Sequence, residues 1–538
     1  MRFARFGHPA RILSSITVSL AISAGPSAAK DWPQWGGEDL GRNMVSGERG
    51  LPESFVAGRP REGDGEIDLA TTARVKWAFR AGSYAYGNPT VARGRVIVGT
   101  DDSTLRDDPR LKKTGAGMVQ CLDAETGKLM WRLVTPKRGK DRLPEGAHFG
   151  QQRFGTCSSA AIVGDRAYVV TSADEVVCLD LDGMADGNDG PFTSEGEYMA
   201  GVGQSPAPIE ATDADIIWVY DIVTEAGVCP HDAASCSPLV HGRFLYVGTS
   251  NGVDAPHEKC LRPLAPSLIV LDRETGKLVA TDDERLGTKM YHALWAPPSM
   301  GRVGDRNLLF FGGGDGVCYA FEAFAEGAAS PVRLKKVWWY DCNPDHYKYE
   351  DGRPIPYYRG DKRKKDSTNR GDGSYVGPSQ IIATPVFHEG RVYVSIGQDP
   401  AHGRGRGFLH CIDASGAGDI TRGGAIWKYD AIERSLSSVA IADGLLYAPD
   451  LSGKLHCLDV ETGKVVWVQD TGSETWGTPL IADGKVYLGT RRALFVFAAG
   501  REPRRLAEVP LGSSSYGTPI VGNGVLYVAS QRYLWAVK

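Results

Sequence analysis

The sequence is poor in the features that mark membrane spans, nucleic-acid partners and haem attachment. Its formal net charge is −4 at pH 7, which supplies no positive field to attract nucleic acid or an anionic membrane surface. After the first 29 residues no segment is apolar for the roughly eighteen residues that a membrane-spanning helix needs. A Cys-x-x-Cys-His motif is also absent, which excludes a c-type haem.

The first 29 residues are typical of a signal peptide. Three arginines lie within the first eleven residues, an apolar stretch runs from Ile12 to Ala24, and small residues at 27–29 precede Lys30. This order predicts cleavage before Lys30 and export. No cysteine lies near the cleavage point, so no lipid anchor is expected. The mature chain is predicted to be a soluble periplasmic or extracellular protein.

The remainder contains an internal repeat. Pro479 and Pro519 are 40 residues apart, and Val439 occupies the matching position 40 residues before Pro479. Within each unit a short apolar strand meets a tight turn such as Asp483-Gly484, where the chain must adopt positive φ. This length and pattern are typical of one four-stranded propeller blade.

Eight such units can be aligned. Their first strands begin near residues that share small or polar side chains, namely Asn88, Ser159, Ser237, Pro297, Thr384, Ser438, Thr478 and Thr518. The last unit ends after three strands, and Arg74–Arg80 resembles its missing fourth strand. We therefore predict an all-β chain with a signal peptide at 1–29, an N-terminal extension at 30–72 and an eight-bladed β-propeller at 73–538. Its four-stranded antiparallel blades would be closed by an N-terminal strand that completes the last blade.

Two turns carry the sequence Asp-x-Glu-Thr-Gly-Lys followed by a strand with tryptophan, at 123–131 and 459–467. They resemble the tryptophan-docking motif of the pyrroloquinoline quinone (PQQ) repeat, which occurs in quinoprotein dehydrogenases and in BamB-like outer-membrane assembly factors. The turn at 272–280 has lost the tryptophan, and related tryptophans stand at Trp77, Trp218, Trp339 and Trp427. The resemblance covers nearly the whole mature chain and implies the propeller fold, whereas a fold alone does not define an activity.

Five of the ten cysteines occupy one repeat position, where other units have Val270 and Val496. These are Cys121, Cys178, Cys318, Cys411 and Cys457. A position that alternates between cysteine and valine is typical of a small buried apolar site. We therefore expect these five thiols to be buried and unpaired, even in an oxidising compartment.

One face of the propeller is predicted to collect the polar and aromatic residues. The loops that lead into the first strands and those that join the second and third strands lie on the same face of a four-stranded blade. We call this the funnel face. Its residues are Tyr86, Asp101, Arg153, Phe154, His231, Asn251, Asp254, His257, His292, Trp295, Asp315, Gln398, Asp399, His402, Arg434, Asp450, Trp476 and Tyr516. Such a mixture suits a small-molecule site.

The resemblance to quinoprotein dehydrogenases implies one set of cofactor residues. The segment 247–252 is similar to the stretch whose asparagine coordinates calcium beside PQQ, which would make Asn251 a calcium ligand. Arg153 and Arg434 would then pair with the carboxylates of PQQ, and Trp295 or Trp476 would stack on its rings. Three family features are missing: the adjacent cysteine pair, an aspartate after Trp295 and a haem motif. These departures favour a structural role for Asn251.

Blade three carries a second cluster from two loops of the funnel face, the first with Cys229, His231, Asp232 and Cys236 and the second with His257 and Cys260. Nitrogen and sulfur ligands of this kind could hold zinc or another soft metal, with Asp254 nearby. Disulfides remain open as alternatives, between Cys229 and Cys260 or between Cys157 and Cys236. Buried thiols are equally consistent, and the compartment favours these readings over a metal.

A third candidate is the acidic turn at 180–190, where oxygen ligands crowd at short intervals. Asp182, Asp186 and Asn188 could contribute to a calcium site. The turn lacks the terminal glutamate and the helices of an EF-hand, so a solvated acidic turn is the alternative.

Three functions follow from these observations. The first is an exported propeller, a monomer, that binds a small molecule or an envelope protein at its funnel face. The second is a quinoprotein oxidoreductase of alcohols or sugars that uses PQQ and calcium. The third is a carbohydrate-binding or carbohydrate-active propeller, because aromatic-lined mouths suit sugar rings. The sequence leaves open whether the chain is an enzyme.

Overall fold

The computed structural model describes residues 1, 30–151, 153–325, 327, 331–355, 358–359, 362–363, 379–398 and 405–538. All of the predicted signal peptide except Met1 lies outside these residues, as do Asp399 and His402. No helix in the described part of the chain is long and apolar enough to cross a membrane.

Eight four-stranded sheets form the blades of a β-propeller, as the repeat predicts. Within each blade, neighbouring strands are antiparallel and pair in chain order. Blade 1 contains Thr90–Ala92, Arg95–Asp101, Gly117–Asp123 and Leu129–Thr135, and blade 2 contains Ala161–Val163, Arg166–Val170, Glu175–Asp180 and Ile216–Asp221. Blade 3 contains Leu239–His241, Phe244–Gly248, Leu268–Asp272 and Leu278–Thr281, and blade 4 contains Ser299–Val303, Arg306–Gly312, Val317–Glu322 and Lys336–Asp341. Blade 5 contains Val386–His388, Arg391–Ser395, Leu409–Asp413 and Ala425–Tyr429, and blade 6 contains Ala440–Ala442, Leu445–Pro449, Lys454–Asp459 and Val465–Asp470. Blade 7 contains Leu480–Ala482, Lys485–Gly489, Ala493–Ala498 and Arg505–Pro510, and blade 8 contains Ile520–Gly522, Val525–Ala529, Tyr533–Val537 and Val75–Arg80.

The last blade confirms the predicted closure. Its fourth strand, Val75–Arg80, comes from the N-terminal part of the chain and pairs antiparallel with Tyr533–Val537. A second closure lies near the axis, where the Thr518 N–H donates to Asn88 Oδ1 at 2.5 Å. Because Val75–Arg80 pairs with Tyr533–Val537, the third strand of blade 8 is not left as an unpaired edge.

Short elements decorate the blades. Three extra strands add in parallel to blades 3, 4 and 7, and three two-stranded ribbons lie in connecting segments. The extra strands are Val332–Arg333, Gly418–Asp419 and Val45–Ser46. The ribbons pair Arg59–Pro60 with Ile67–Asp68, Tyr349–Glu350 with Arg353–Pro354, and Tyr358–Arg359 with Lys362–Arg363. The helices are Glu195–Ala200 and Ile222–Glu225, and the 3-10 turns are Leu69–Thr71, Asp102–Asp107, Lys140–Arg142, Gly183–Ala185, Leu286–Thr288 and Asp345–Tyr347.

Tryptophans on the fourth strands dock each blade onto the next. The indole N–H of Trp131, for example, donates to the Leu181 carbonyl of blade 2 at 2.9 Å. A glycine with positive φ lies beneath the ring, because a Cβ on Gly183 would come within 2.6 Å of Trp131. In blade 4 the docking residue is Trp338, whose indole N–H reaches the Ala414 carbonyl at 2.9 Å. The prediction of Trp339 for this role was wrong by one residue.

The repeated cysteines are buried, as predicted. Each of four of them lies opposite a tryptophan of the neighbouring fourth strand, in the pairs Cys121–Trp131, Cys178–Trp218, Cys411–Trp427 and Cys457–Trp467. Burial raises the pKa of Cys178, Cys411 and Cys457 to about 12. All ten cysteines are free thiols in this structure, which agrees with the buried-thiol alternative and not with the alternative disulfides Cys229–Cys260 and Cys157–Cys236.

The N-terminal extension closes one end of the central channel, a feature that the repeat did not predict. We call Lys30–Glu48 the N-terminal seal. In seven blades the backbone N–H of the second residue of the first strand donates a hydrogen bond to the seal, as Val91 does to the Trp32 carbonyl at 2.9 Å. The seven acceptors of these N–H groups are Trp32 O, Pro33 O, Gln34 Oε1, Leu40 O, Gly41 O, Asn43 Oδ1 and Met44 O. In blade 8 the Asn523 N–H donates to the Lys30 carbonyl at 2.9 Å.

Arg42 anchors the seal. Its side chain is fully buried and donates to the carbonyls of Trp35, Pro238 and Pro298. Burial lowers the pKa of Arg42 to about 9. The indole N–H of Trp35 donates to Thr384 Oγ1 at 3.1 Å. An axial cavity of about 120 Å³ remains between Trp35 and the funnel aromatics. Among the residues that the structure describes, the seal therefore closes the axis at the end opposite the funnel face.

Candidate functional site on the funnel face

Aromatic rings from blades 1, 7 and 8 line the mouth of the axis. Trp476 and Tyr516 stack with ring centroids 3.9 Å apart, and Tyr86 lies parallel to both at 6.0 and 5.9 Å. Phe154 meets Tyr86 edge-on at 5.5 Å. The Trp476 indole N–H donates to Glu474 Oε1 at 2.6 Å. These rings are packed against one another, so they narrow the mouth and leave less aromatic surface for a ligand than the sequence suggested.

The residues predicted to bind a cofactor have separate surroundings. Arg153 is exposed, whereas Arg434 is fully buried with its guanidinium 4.9 Å from the ring centroid of Tyr347. Trp295 donates its indole N–H to the Ala233 carbonyl at 3.0 Å and meets His292 edge-on. Trp476 belongs to the aromatic stack described above. The two arginines thus differ in their access to any ligand, and their joint role in binding PQQ stays a prediction.

Asn251 is held by the protein itself. Its side chain is fully buried, and its Oδ1 accepts the Cys229 N–H at 3.0 Å. Its Nδ2 donates to the Arg262 carbonyl at 3.0 Å. The amide therefore connects the loops that carry Cys229 and Arg262, which is a structural role. Because an amide oxygen has two lone pairs, the calcium role of Asn251 beside PQQ stays a prediction.

Three histidines converge on the same face. His231 precedes blade 3, His257 lies in the loop between its second and third strands, and His292 lies in the connection to blade 4. Nε2 of His257 is 3.1 Å from Nε2 of His231 and 3.0 Å from Nε2 of His292. His231 and His292 are buried, and His257 is half-buried. We call these residues the histidine cluster.

Neighbouring groups fix the orientation of His231. Its Nδ1 lies 2.6 Å from the Val253 carbonyl, and because a carbonyl only accepts, this nitrogen carries the proton. Burial lowers the pKa of His231 to about 4, so the ring is neutral at pH 7 and its Nε2 presents a lone pair. At the edge of the cluster, Asp232 Oδ1 lies 3.1 Å from His148 Nε2 and its Oδ2 lies 3.6 Å from His231 Nε2.

The other residues of the predicted blade-three metal site lie around the cluster rather than in it. Cys229 is buried behind Asn251, and Cys260 Sγ accepts from Asn251 Nδ2 at 3.6 Å. Asp254 Oδ1 accepts the N–H groups of Glu258 and Lys259 and so caps the turn that carries His257. The sequence placed all three histidines on the funnel face. It grouped His231 with His257 in a candidate metal cluster and missed His292, because loop conformation, not repeat position, brings His292 to the other two.

The predicted calcium turn is internally paired. Carboxylate oxygens of Asp180, Asp182 and Asp186 lie within 4.8 Å of one another. The carboxylate of Asp180 forms a salt bridge with Arg166, and that of Asp182 forms one with Arg95 at 2.6 Å. Asn188 donates to Glu195 Oε2 at 3.0 Å. These contacts favour the acidic-turn alternative, in which the turn supports the docking of Trp131.

A cavity of about 390 Å³ opens beside the histidine cluster. Its wall includes four basic residues, Lys137, Arg138, Lys140 and Arg142, together with the rings of Phe149 and Phe154 and the carboxylate of Asp232. Glu175 accepts from Arg138 Nε and Nη2 at 2.9 and 3.0 Å, and Arg142 pairs with Asp221 at 2.5 Å. The volume lies in the range of small-ligand sites.

Backbone contacts join the loops around this cavity. The Asp232 N–H donates to the His148 carbonyl at 2.6 Å, and Phe149 forms an isolated parallel β-bridge with Asp232. The cavity is therefore framed by the connection between blades 1 and 2 and by the connection between blades 2 and 3. Sequence reasoning missed it because Lys137, Lys140 and Phe149 lie in a long connection without repeat character.

A family model described as "Outer membrane protein assembly factor BamB" matches residues 34–185, 115–330 and 406–506, which is more than half of the chain. No curated protein matches the chain. A europium-containing methanol dehydrogenase is 14% identical, with a TM-score of 0.54 over 93% of this chain and 89% of that chain. A quinohemoprotein alcohol dehydrogenase from Pseudomonas putida HK5 is 12% identical, with a TM-score of 0.54 over 95% and 80%. BamB from Moraxella catarrhalis is 12% identical, with a TM-score of 0.49 over 86% and 97%. At these identities the structural likeness concerns the fold alone.

Proposed function

The chain belongs to the propeller family whose model is described as the outer membrane protein assembly factor BamB, and from this premise we propose that it is a partner-binding propeller of the cell envelope. Its binding surface is the basic cavity of the funnel face. The partner is an envelope protein that presents an acidic segment. The observation that carries this proposal is the wall of the cavity, where four basic residues meet two phenylalanine rings.

The charges of the cavity favour a carboxylate-bearing ligand. Glu175 and Asp221 hold the guanidinium groups of Arg138 and Arg142 in place. Lys140 is exposed at the rim and Lys137 is half-buried beside it. Burial lowers the pKa of Lys137, and a bound carboxylate would offset that cost by stabilising the charged ammonium. Phe149 and Phe154 supply apolar area for a neighbouring side chain of the partner.

The N-terminal seal supports the choice of face. Lys30–Glu48 caps the first strands and places Trp35 and Arg42 in the channel. Within the described part of the chain, the seal blocks the axis from the opposite face, which supports the funnel face as the binding side. The opposite face presents the Asp-x-x-Thr-Gly-Lys turns, whose side chains mainly bond their own turn, as Thr126 does with Asp123 at 2.7 Å.

The quinoprotein and carbohydrate alternatives receive no comparable support. Asn251 has its amide bonded to Cys229 and Arg262, Arg434 is buried, and Trp476 is stacked on Tyr516. These contacts engage several of the groups that the resemblance would assign to PQQ and calcium. A binding role uses none of them.

The test is a quantitative pull-down from a cell-envelope extract with the chain from Lys30. The variant Lys137→Glu/Lys140→Glu reverses the charge of the cavity. We expect its recovery of specific partners to fall by roughly tenfold or more, because each lost contact with a partner carboxylate is worth about 1 kcal/mol.

The matched control is Lys128→Glu/Lys464→Glu, which makes the same change in net charge on the opposite face, where both lysines are exposed in turns. It should recover partners like the parent chain. Equal losses in both variants would mean that net charge, not the cavity, governs binding and would contradict the proposal.

A further inference from the structure

We propose that the histidine cluster is a transition-metal site in which Nε2 of His231, His257 and His292 bind one zinc-like ion. The three ligand atoms all lie within 4.8 Å of one another, and the two contacts made by His257 are 3.1 and 3.0 Å. In tetrahedral zinc sites the Zn–N distance of about 2.0–2.1 Å separates the ligand nitrogens by roughly 3.3 Å. The observed spacing is close to that geometry.

The contacts inside the cluster are difficult to satisfy with hydrogens alone. Nε2 of His257 faces Nε2 of both His231 and His292, and it carries at most one hydrogen. At most one of the two contacts can then be an ordinary linear hydrogen bond. A cation at the centre would be attracted by a lone pair from each of the three nitrogens and would satisfy both contacts at once.

Val253 prepares two of the ligands. Its carbonyl accepts the Nδ1 proton of His231 at 2.6 Å, which leaves the Nε2 lone pair for a metal. Its N–H donates to the His292 carbonyl at 2.8 Å, which fixes the backbone of the second ligand. An imidazole whose remote nitrogen donates to a carbonyl is the arrangement found around metal-binding histidines.

The third ligand comes from a strained turn. His257 has φ +58, which is unusual for a residue other than glycine. The turn is held by Asp254, whose carbonyl accepts the His257 N–H at 2.9 Å and whose Oδ1 accepts the Glu258 N–H at 2.7 Å. This conformation aims the His257 ring at the other two. Strain that persists because surrounding bonds enforce it is common where a side chain has a binding role.

The donor set selects the class of ion. Three imidazole nitrogens suit zinc, copper or nickel, whereas calcium and magnesium prefer oxygen ligands. Asp232 lies 3.6 Å from His231 Nε2 and would offset the positive charge of a bound ion. Asp232 also lines the cavity. Because three-histidine sites keep a fourth position for water or a ligand, the ion would be reachable from that cavity. The site goes beyond the partner-binding role and does not depend on it.

The experiment is a titration of the untagged, chelator-treated chain from Lys30 with Co²⁺, followed by displacement with Zn²⁺. We expect one Co²⁺ per chain, the intense visible absorption of tetrahedral cobalt with nitrogen ligands, and loss of that absorption when Zn²⁺ is added. Zn²⁺ should also raise the thermal unfolding temperature. Absence of a one-to-one complex would overturn the proposal.

The ligand assignment is tested with His257→Gln, because His257 is half-buried in a loop and its loss spares the buried core. We expect the affinity for Co²⁺ to fall by about 100-fold or more, since even the loss of a residue behind a ligand costs about 10–100-fold. The matched control is His388→Gln, at the end of a first strand on the opposite face. Equal affinities of His257→Gln and the parent chain would overturn the assignment, provided that circular dichroism finds both folded. Failure of metal binding would leave the pull-down result of the cavity variant unaffected.

Discussion

Blades 6 to 8 and blades 1 to 3 use the same four-stranded unit in different ways. In the first region the turns between second and third strands are short, at 450–453, 490–492 and 530–532. In the second region the corresponding segments of blades 1 and 3 run over 102–116 and 249–267. We call the two regions the regular region and the inserted region.

The difference in loop length goes together with a difference in chemistry. In the regular region the funnel residues Trp476 and Tyr516 stack on each other. In the inserted region one long loop supplies His257, and the connections between blades supply His231, His292 and most of the wall of the basic cavity. The repeat thus builds the ring, and the insertions build the candidate site. Changes to the repeat should affect both regions alike, whereas changes to the insertions should affect binding alone.

Removal of residues before Ala81 is expected to have the largest effect, because it breaks the ring that both regions share. It deletes the fourth strand of blade 8 and the seal that contacts every blade. We expect loss of the cooperatively folded monomer, measured by near-ultraviolet circular dichroism and gel filtration. The chain that begins at Lys30 is the control. A truncated chain with the parent's unfolding temperature would contradict the closure.

Docking tryptophans should matter equally in the two regions. Trp131→Ala in blade 1 and Trp467→Ala in blade 6 each remove a buried indole, and each should lower the free energy of unfolding by about 3–5 kcal/mol. Urea denaturation measures both losses. Trp339→Ala is the control and should cost about 1 kcal/mol, because that ring is half-buried and contacts Lys336. A large loss in one region only would show that the repeat supports the regions unequally.

Blade 5 lies between the two regions, and its His410 makes stability depend on pH. Burial lowers the pKa of His410 from 6.5 to about 3. Below pH 6.5 the unfolded chain binds a proton that the folded chain excludes, so stability present at neutral pH is lost as the pH falls towards 3. Between about pH 7 and pH 4 the loss should be on the order of 3 kcal/mol.

The measurement is urea denaturation at both pH values for the parent chain and for His410→Gln, in which this contribution should disappear. His456→Gln changes the equivalent position of blade 6, where the ring is 3.0 Å from Asp450, and serves as the comparison. An unchanged pH dependence in His410→Gln would contradict the assignment.

Asn251→Ala should have the smallest effect and should be structural. The substitution leaves the Cys229 N–H and the Arg262 carbonyl without their partner, which costs about 1–3 kcal/mol. Urea denaturation measures this loss. Calorimetric titration of the parent chain with PQQ and calcium should give no saturable heat. Micromolar calcium-dependent binding that Asn251→Ala abolishes would instead restore the quinoprotein interpretation.

The repeat made most of the fold predictable. Eight blades and their closure could be predicted from three features: turns such as Asp483-Gly484, the 40-residue spacing of Pro479 and Pro519, and the unpaired strand before Ala81. Trp339 was chosen instead of Trp338 because adjacent tryptophans cannot be told apart without the strand register. The strand carries a bulge opposite Ala320 and Phe321, which shifts the register at this point.

The seal and the site were less predictable for a physical reason. Lys30–Glu48 has no periodicity, and its conformation follows from hydrogen bonds to seven first strands that are distant in sequence. The histidine cluster likewise depends on how loops pack against each other, as with Val253 between His231 and His292. The sequence placed the three histidines on the funnel face and grouped His231 with His257, but it assigned no contacts to Lys30–Glu48.

The most direct test of the comparison between the regions is a photocrosslinking scan of the funnel face in the cell envelope. The photoreactive residue is placed at Lys140 or Gln151 in the inserted region and at Arg491 or Arg532 in the regular region, all of which are exposed. We expect specific protein crosslinks from the first pair and none of these products from the second. The same products from all four positions, or products from the regular region alone, would contradict this expectation.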